Sequence, residues 1–160
     1  MSIKQEVNRI KSLMVESTDS PYDINVVDND EFKSKSIYLN SGISKNIGKA
    51  HILSIKDIIN LINQTTDKND VDVATLDLLS NLNDSNIAHS IGLNIDEPFR
   101  KKGYGKILTQ ECENISKNMG FTKICMVVNK NNIPSQKILN NLGYTITNSN
   151  DSWDLFMKNI

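Results

Sequence analysis

The chain is short of cysteine and histidine: its 160 residues include two cysteines, Cys112 and Cys125, and two histidines, His51 and His89. The cysteines form no CxxC pair and the ligand supply is too thin for a structural zinc, so no metal site is expected. Two reduced, structural thiols point to an intracellular, cytoplasmic protein. Excess charge of either sign is also lacking, with a formal net of −1, so there is no global pull toward nucleic acid or an anionic membrane. No apolar run approaches the ~20 residues of a spanning helix. Lys4, Glu6, Arg9, Lys11 and Glu16 leave no room for the apolar stretch of a signal peptide.

The length suits one domain over residues 1–160 with one core. Ile3, Val7, Ile10 and Met14 recur at helical spacing, which predicts an amphipathic helix over 1–16, ended by Thr18-Asp19-Ser20-Pro21. A short strand is expected within Asp23–Asp28. Lys35–Leu39 and Lys49–Ser54 read as two antiparallel strands joined by a long, turn-rich hairpin over Asn40–Gly48. Ser54 with Asp57 three residues later reads as the cap of a helix carrying Ile55, Ile58, Ile59 and Ile62, whose isoleucines leave room for a homodimer contact. Leu76 and Leu78 alternate with Thr75 and Asp77, so Val73–Asn81 is expected to be a strand, followed by another over Ile87–Asp96.

The second half is clearer. Tyr104, Leu108, Cys112, Ile115 and Met119 step by three and four along one helix face, with Gly120 as its stop. Ile124–Val128 is a continuous apolar run, as in a strand covered on both faces. A short helix follows, with Pro134 in its first turn and Gly143 just past its end, and strands at Tyr144–Thr147 and Trp153–Met157 close the chain. The order implies an α/β fold, a mixed sheet with helices packed on it.

The chemistry concentrates in Ile95–Lys106. A strand ends, a loop with Arg100, Lys101, Lys102, Gly103 and Gly105 follows, and a long helix begins. Unpaired N–H groups at a helix start carry partial positive charge, and glycines let an anion approach them, so a phosphate or diphosphate suits this turn. A nucleoside-triphosphate loop is excluded because no Gly-Lys-Ser/Thr ends it. The dinucleotide fingerprint fails because Leu108 stands where its third small residue belongs.

Two blocks then carry a resemblance. Arg100-x-x-Gly103-x-Gly105 resembles the Arg/Gln-x-x-Gly-x-Gly/Ala motif of the GNAT N-acetyltransferases. Asn132-x-x-Ser135-x-x-Ile138-Leu139-x-x-x-Gly143-Tyr144 is similar to a second segment of that family, one helix and one strand later. The resemblance covers residues 87–158. It implies a twisted, largely antiparallel mixed sheet splayed at its centre and flanked by helices, and acetyl-CoA as cofactor. Backbone amides within Lys101–Lys106, spanning Lys101, Lys102, Gly103, Tyr104, Gly105 and Lys106, would hold the diphosphate beside Arg100. The strand Leu93-Asn94-Ile95 would pair with the pantetheine arm, a main-chain N–H of that strand would stabilise the oxyanion, and Asn132 and Ser135 would face the thiol end.

An attacking amine must be neutral, and a lysine at pH 7 is so in only about one molecule in two to three thousand. His89 is the candidate base, at the position where histone-type members of the family place a glutamate. Its side chain is expected on the same side of the strand as Ile91, Leu93 and Ile95; a histidine simply bonded within the sheet is the competing reading. Asp96 and Glu97 are weaker candidates. The family's usual acid, a tyrosine seven residues after the asparagine, is replaced by Leu139, leaving Tyr144, Tyr104 and Ser135 as nearby hydroxyls. The function expected is transfer of acetyl to a primary amine, either a small molecule or a protein lysine or N-terminus. The alternative is a non-catalytic acyl-CoA-binding module.

Overall fold

The computed structural model describes residues 22–29, 34–42 and 44–160; the expected helix over 1–16 lies outside them. Three strands come first: β1 (Tyr22–Asn29), β2 (Ser34–Ser41) and β3 (Ser44–Ser54). The long loop expected over Asn40–Gly48 is instead a tight hairpin. Leu39 still pairs with Gly48 and Ser41 with Ser44, and the Asn46 amide bonds the Asn40 side chain at 2.8 Å. The turn-forming residues were taken by the strand ladder and its bulge.

Helix α1 (Ile55–Gln64) starts at Ser54, whose Oγ accepts from the Asp57 amide at 3.0 Å, and it buries Ile55, Ile58 and Ile62. Residues Asp70–Leu79 form a second helix, α2, which corrects the strand expected over Val73–Asn81. Its start is fixed by a reciprocal cap: Asn69 Oδ1 accepts from the Asp72 amide at 2.9 Å, and Asp72 Oδ2 accepts from the Asn69 amide at 3.1 Å. Ala74, Thr75, Leu78 and Leu79 are buried, a helical spacing that the local Thr-Leu-Asp-Leu alternation had masked. Asn69→Ala is expected to lower the unfolding free energy by about 1 kcal/mol in urea denaturation; no change would mean that packing alone holds α2.

The remaining elements are β4 (Ile87–Ile95), a 3₁₀ turn at Glu97–Phe99, α3 (Tyr104–Asn118), β5 (Lys123–Asn129), α4 (Ile133–Asn141), β6 (Thr145–Ser149) and β7 (Trp153–Asn159). The sheet order is β1-β2-β3-β4-β5-β7-β6, antiparallel throughout except for β4 against β5. One face packs on α3, where Tyr104, Leu108, Cys112 and Ile115 meet Ala50, Ile52, Ala88, Ile124, Met126 and Phe156. The other face carries α1 and α2, with Ile58, Ile62, Leu78 and Leu79 against Leu53, Ile87, Cys125 and Leu155. β5 is therefore buried on both faces, as its unbroken apolar run requires. Among the described residues, no helix is long and apolar enough to cross a membrane.

Candidate active site

The central pair of strands is joined for only three residues, Ile87–His89 against Lys123–Cys125. Beyond that point β4 stays bonded to β3 as far as Ile95, while β5 follows β7. The facing edges part and leave a cleft of about 480 Å³ between them. Backbone polar groups along such an edge need a partner, so an extended ligand lying there can complete the ladder.

A bulge on β4 decides which side chains face which way. Lys49 pairs with Asn94 but His51 with Ile91, so one residue is extra, and Gly92 takes it up at φ +67°. Ile87 and Ile91 pack on the α1–α2 side, whereas Ala88, Leu93 and Ile95 pack on the α3 side. His89 alternates with Ile87 and Ile91. The expected shared face of His89 with Leu93 and Ile95 is therefore wrong, because the extra residue flips the strand between them.

Past Ile95 the chain turns through Glu97–Phe99 into α3. Arg100 Nε donates to the Ile95 carbonyl at 2.8 Å and ties the loop to the strand end. Lys101 has φ +63° and Gly103 φ +86°, so the loop enters the helix through left-handed backbone. Phe99 anchors it in the core, and the Lys102 ammonium lies 5.6 Å from that ring. The first helical bond runs from the Ile107 amide to the Gly103 carbonyl at 3.2 Å. Among the described residues, none accepts from the amides of Lys101, Lys102, Gly103, Tyr104, Gly105 or Lys106. These donors, at the positive end of a fifteen-residue helix and beside exposed Lys101, Lys102 and Lys106, form a candidate anion cradle. Gly105 serves a second purpose: a Cβ there would stand 3.1 Å from Ile138 Cδ1, so its absence lets α3 and α4 close together.

Asn132 is the N-cap of α4, accepting from the Ser135 amide at 3.3 Å, and it lines the cleft with Ser135 and buried Leu139. Of the hydroxyls that could serve as acid, only Ser135 reaches the cleft. Tyr104 Oη is bonded to Ser41 Oγ at 3.0 Å. Tyr144 is buried in the core, where burial and then the Glu113 carboxylate push its phenol far up.

Among the described residues, the titratable side chains on the cleft wall are His89 and Asp72. His89 is 2% exposed, neither ring nitrogen has a partner among the described residues, and burial lowers its pKa to about 4. Asp96 and Glu97 are exposed in the turn outside the cleft. Both cysteines are buried, and burial pushes Cys112 up to about 12 and Cys125 up as well, so neither supplies a thiolate nucleophile.

Sequence reasoning missed one wall. Asn69, Asp72 and Thr75 of α2 line the cleft, as do Ser90, Thr109 and Trp153. The Asn69-x-x-Asp72 cap was the available signal for α2. Trp153 packs against the core and also lines the cleft.

The acetyltransferase (GNAT) family model matches residues 64–144. No curated protein matches the chain by sequence. Among solved structures, the GNAT domain of S. lividans PAT is 13% identical with a TM-score of 0.60, covering 100% of this chain and 70% of that one. The PaiA N-acetyltransferase of Thermoplasma acidophilum, in complex with coenzyme A, is 14% identical with a TM-score of 0.54, covering 98% and 70%. A Bacillus subtilis acetyltransferase in complex with CoA is 12% identical with a TM-score of 0.59, covering 87% and 99%. At these identities the likeness is one of fold, and that fold is the splayed sheet described above. The family match spans α2, the open strand edge, the anion cradle and α4, so this chain belongs to the acetyltransferase (GNAT) family, whose acetyl donor is acetyl-CoA.

Proposed function

We propose that this protein is an N-acetyltransferase that carries the acetyl group of acetyl-CoA to a primary amine by direct attack. The observation that supports it best is the run of amides from Lys101 to Lys106 left unpaired among the described residues, set beside a strand edge that none of those residues covers. The cradle fits a diphosphate, and the free edge at Leu93, Asn94 and Ile95 fits an extended amide-bearing arm. Asn132 and Ser135 line the same cleft. Acetyl-CoA supplies an acetyl thioester.

In the net transfer a C–N bond forms, the C–S bond breaks, the amine gives up a proton and the departing sulfur gains one. His89 is neutral at physiological pH because burial disfavours its cation. One ring nitrogen is then free to accept the proton. No covalent enzyme intermediate is involved, since both thiols are buried and protonated. Of the hydroxyls on the cleft wall, Thr75, Ser90 and Thr109 already donate within the protein, which leaves Ser135 to donate toward sulfur.

Leu139, buried where the family motif has a tyrosine, favours a second reading as an acyl-CoA-binding module without turnover. Calorimetry with CoA and acetyl-CoA, followed by thiol release across a panel of amines, separates the two. Binding of both nucleotides with amine-dependent thiol release is expected. Binding without release would leave only the module, and no binding would sink both.

A further inference from the structure

The loop that offers the free amides is held at both ends by one distant element, the β2–β3 hairpin. At its start, the Asp96 amide donates to the Ile47 carbonyl of β3 at 2.8 Å. At its end, the phenol of Tyr104, first residue of α3, meets the hydroxyl of Ser41, last residue of β2, at 3.0 Å. Gly48 lets the hairpin press close to the end of β4. A Cβ there would stand 2.6 Å from Ile95 Cδ1 and 3.3 Å from the Asn94 carbonyl oxygen. Ile47 and Tyr104 are both buried in the core that α3 shares with the sheet.

A buried tyrosine needs a partner for its hydroxyl, and meeting that need is the ordinary use of such a contact. Position gives this contact a second consequence. Tyr104 stands between Gly103 and Gly105, and its own amide is one of those left unpaired among the described residues. The loop before it bends through left-handed backbone at Lys101, φ +63°, and at Gly103, φ +86°. A lysine does not hold that conformation by preference, so its surroundings must fix it. Arg100 ties the middle of the loop to the Ile95 carbonyl. Ile47 and Ser41 fix its two ends to the hairpin.

Resting on the reading of this loop as the diphosphate site, we infer that Ser41 and the Tyr104 phenol are positioning residues for the cofactor. Their hydroxyl pair fastens the first turn of α3 to the hairpin and sets the amides of Lys101–Lys106 before CoA arrives. Donors already aimed at one point lose less freedom on binding, so the pair contributes affinity without touching the ligand. It takes no part in making or breaking bonds.

The test is calorimetry with CoA on the parent, Ser41→Ala, Ser41→Thr and Tyr104→Phe. Ser41→Ala and Tyr104→Phe are each expected to weaken CoA binding about fivefold. The double variant should lose no more than either single one, because both remove the same contact. Ser41→Thr keeps a hydroxyl and should bind CoA as the parent does. Pantetheine, which lacks the diphosphate, should bind the parent and Ser41→Ala alike. A second readout needs no ligand: the Ile107 amide closes the first turn of α3 onto the Gly103 carbonyl. Its hydrogen exchange should quicken about fivefold in Ser41→Ala. Parent-like CoA affinity in Ser41→Ala, or an equal loss with pantetheine, would overturn this inference and leave the diphosphate site standing. Weaker CoA binding with unchanged Ile107 exchange would mean that Ser41 touches the ligand itself, which also overturns the positioning role. Failure of the parent to bind CoA would remove the diphosphate site and this inference together.

Discussion

Gly103→Val is expected to abolish binding of CoA and acetyl-CoA, lowering affinity by at least about a hundredfold. At φ +86° a β-branched residue is strongly disfavoured, so the backbone would rotate out of the left-handed region. That rotation would re-aim the neighbouring amides, which act only as a group pointing at one anion. Space is not the obstacle, since a Cβ at Gly103 would meet nothing within 4 Å. Gly120, at the other end of α3, has φ +92° and equally open surroundings. Gly120→Val therefore carries the same backbone strain without touching the cradle, and should lose stability while keeping its affinity for CoA. Gly105→Val should fail by a different route, as its side chain drives α3 from Ile138 and displaces the wall that holds Ser135 and Leu139. Calorimetry on the three variants separates these causes. Affinity within about twofold of the parent in Gly103→Val would mean that the diphosphate sits elsewhere.

The parts of this molecule that were legible in the sequence are those where one local rule governs. The α3 stripe from Tyr104 to Met119 and the β5 apolar run each match a single period, and glycine placement marked where α3 and α4 stop. The loop of free amides at the start of α3 was readable because its donors are backbone groups whose geometry follows from a strand, two glycines and a helix in succession. What was hidden depended on competition between rules or on long-range pairing. Thr75–Leu78 satisfies a strand period over four residues and a helix period over ten, and the Asn69–Asp72 cap settles the contest. The bulge at Gly92 is set by pairing with β3, some forty residues earlier in the chain, so the side of the sheet that His89 faces could not be counted from Ile95.

Removing the imidazole of His89 is expected to lower kcat/KM about a hundredfold while leaving CoA affinity close to the parent's. The same change should alter stability in a pH-dependent way. The folded-state pKa is about 4 against 6.5 for the free side chain. Between those values the unfolded chain binds a proton that the native protein does not, so stability rises with pH through this window and is progressively lost as pH falls through it. His89→Leu, which keeps much of the volume, should thus be more stable relative to the parent at pH 5 than at pH 8, by about 2 kcal/mol in urea denaturation. A difference that does not vary with pH would mean that the imidazole is not held neutral. The kinetic and thermodynamic effects have one cause, because a wall dry enough to keep the ring unprotonated also makes its cation costly to form. That cost limits the basicity of His89 and moves the acid limb of kcat/KM below the neutral range. In His89→Ala the vacated space should accept imidazole from solution and recover part of the lost turnover. A ring that merely fills the sheet would restore stability but not rate on that addition, and such a result would remove His89 from the mechanism.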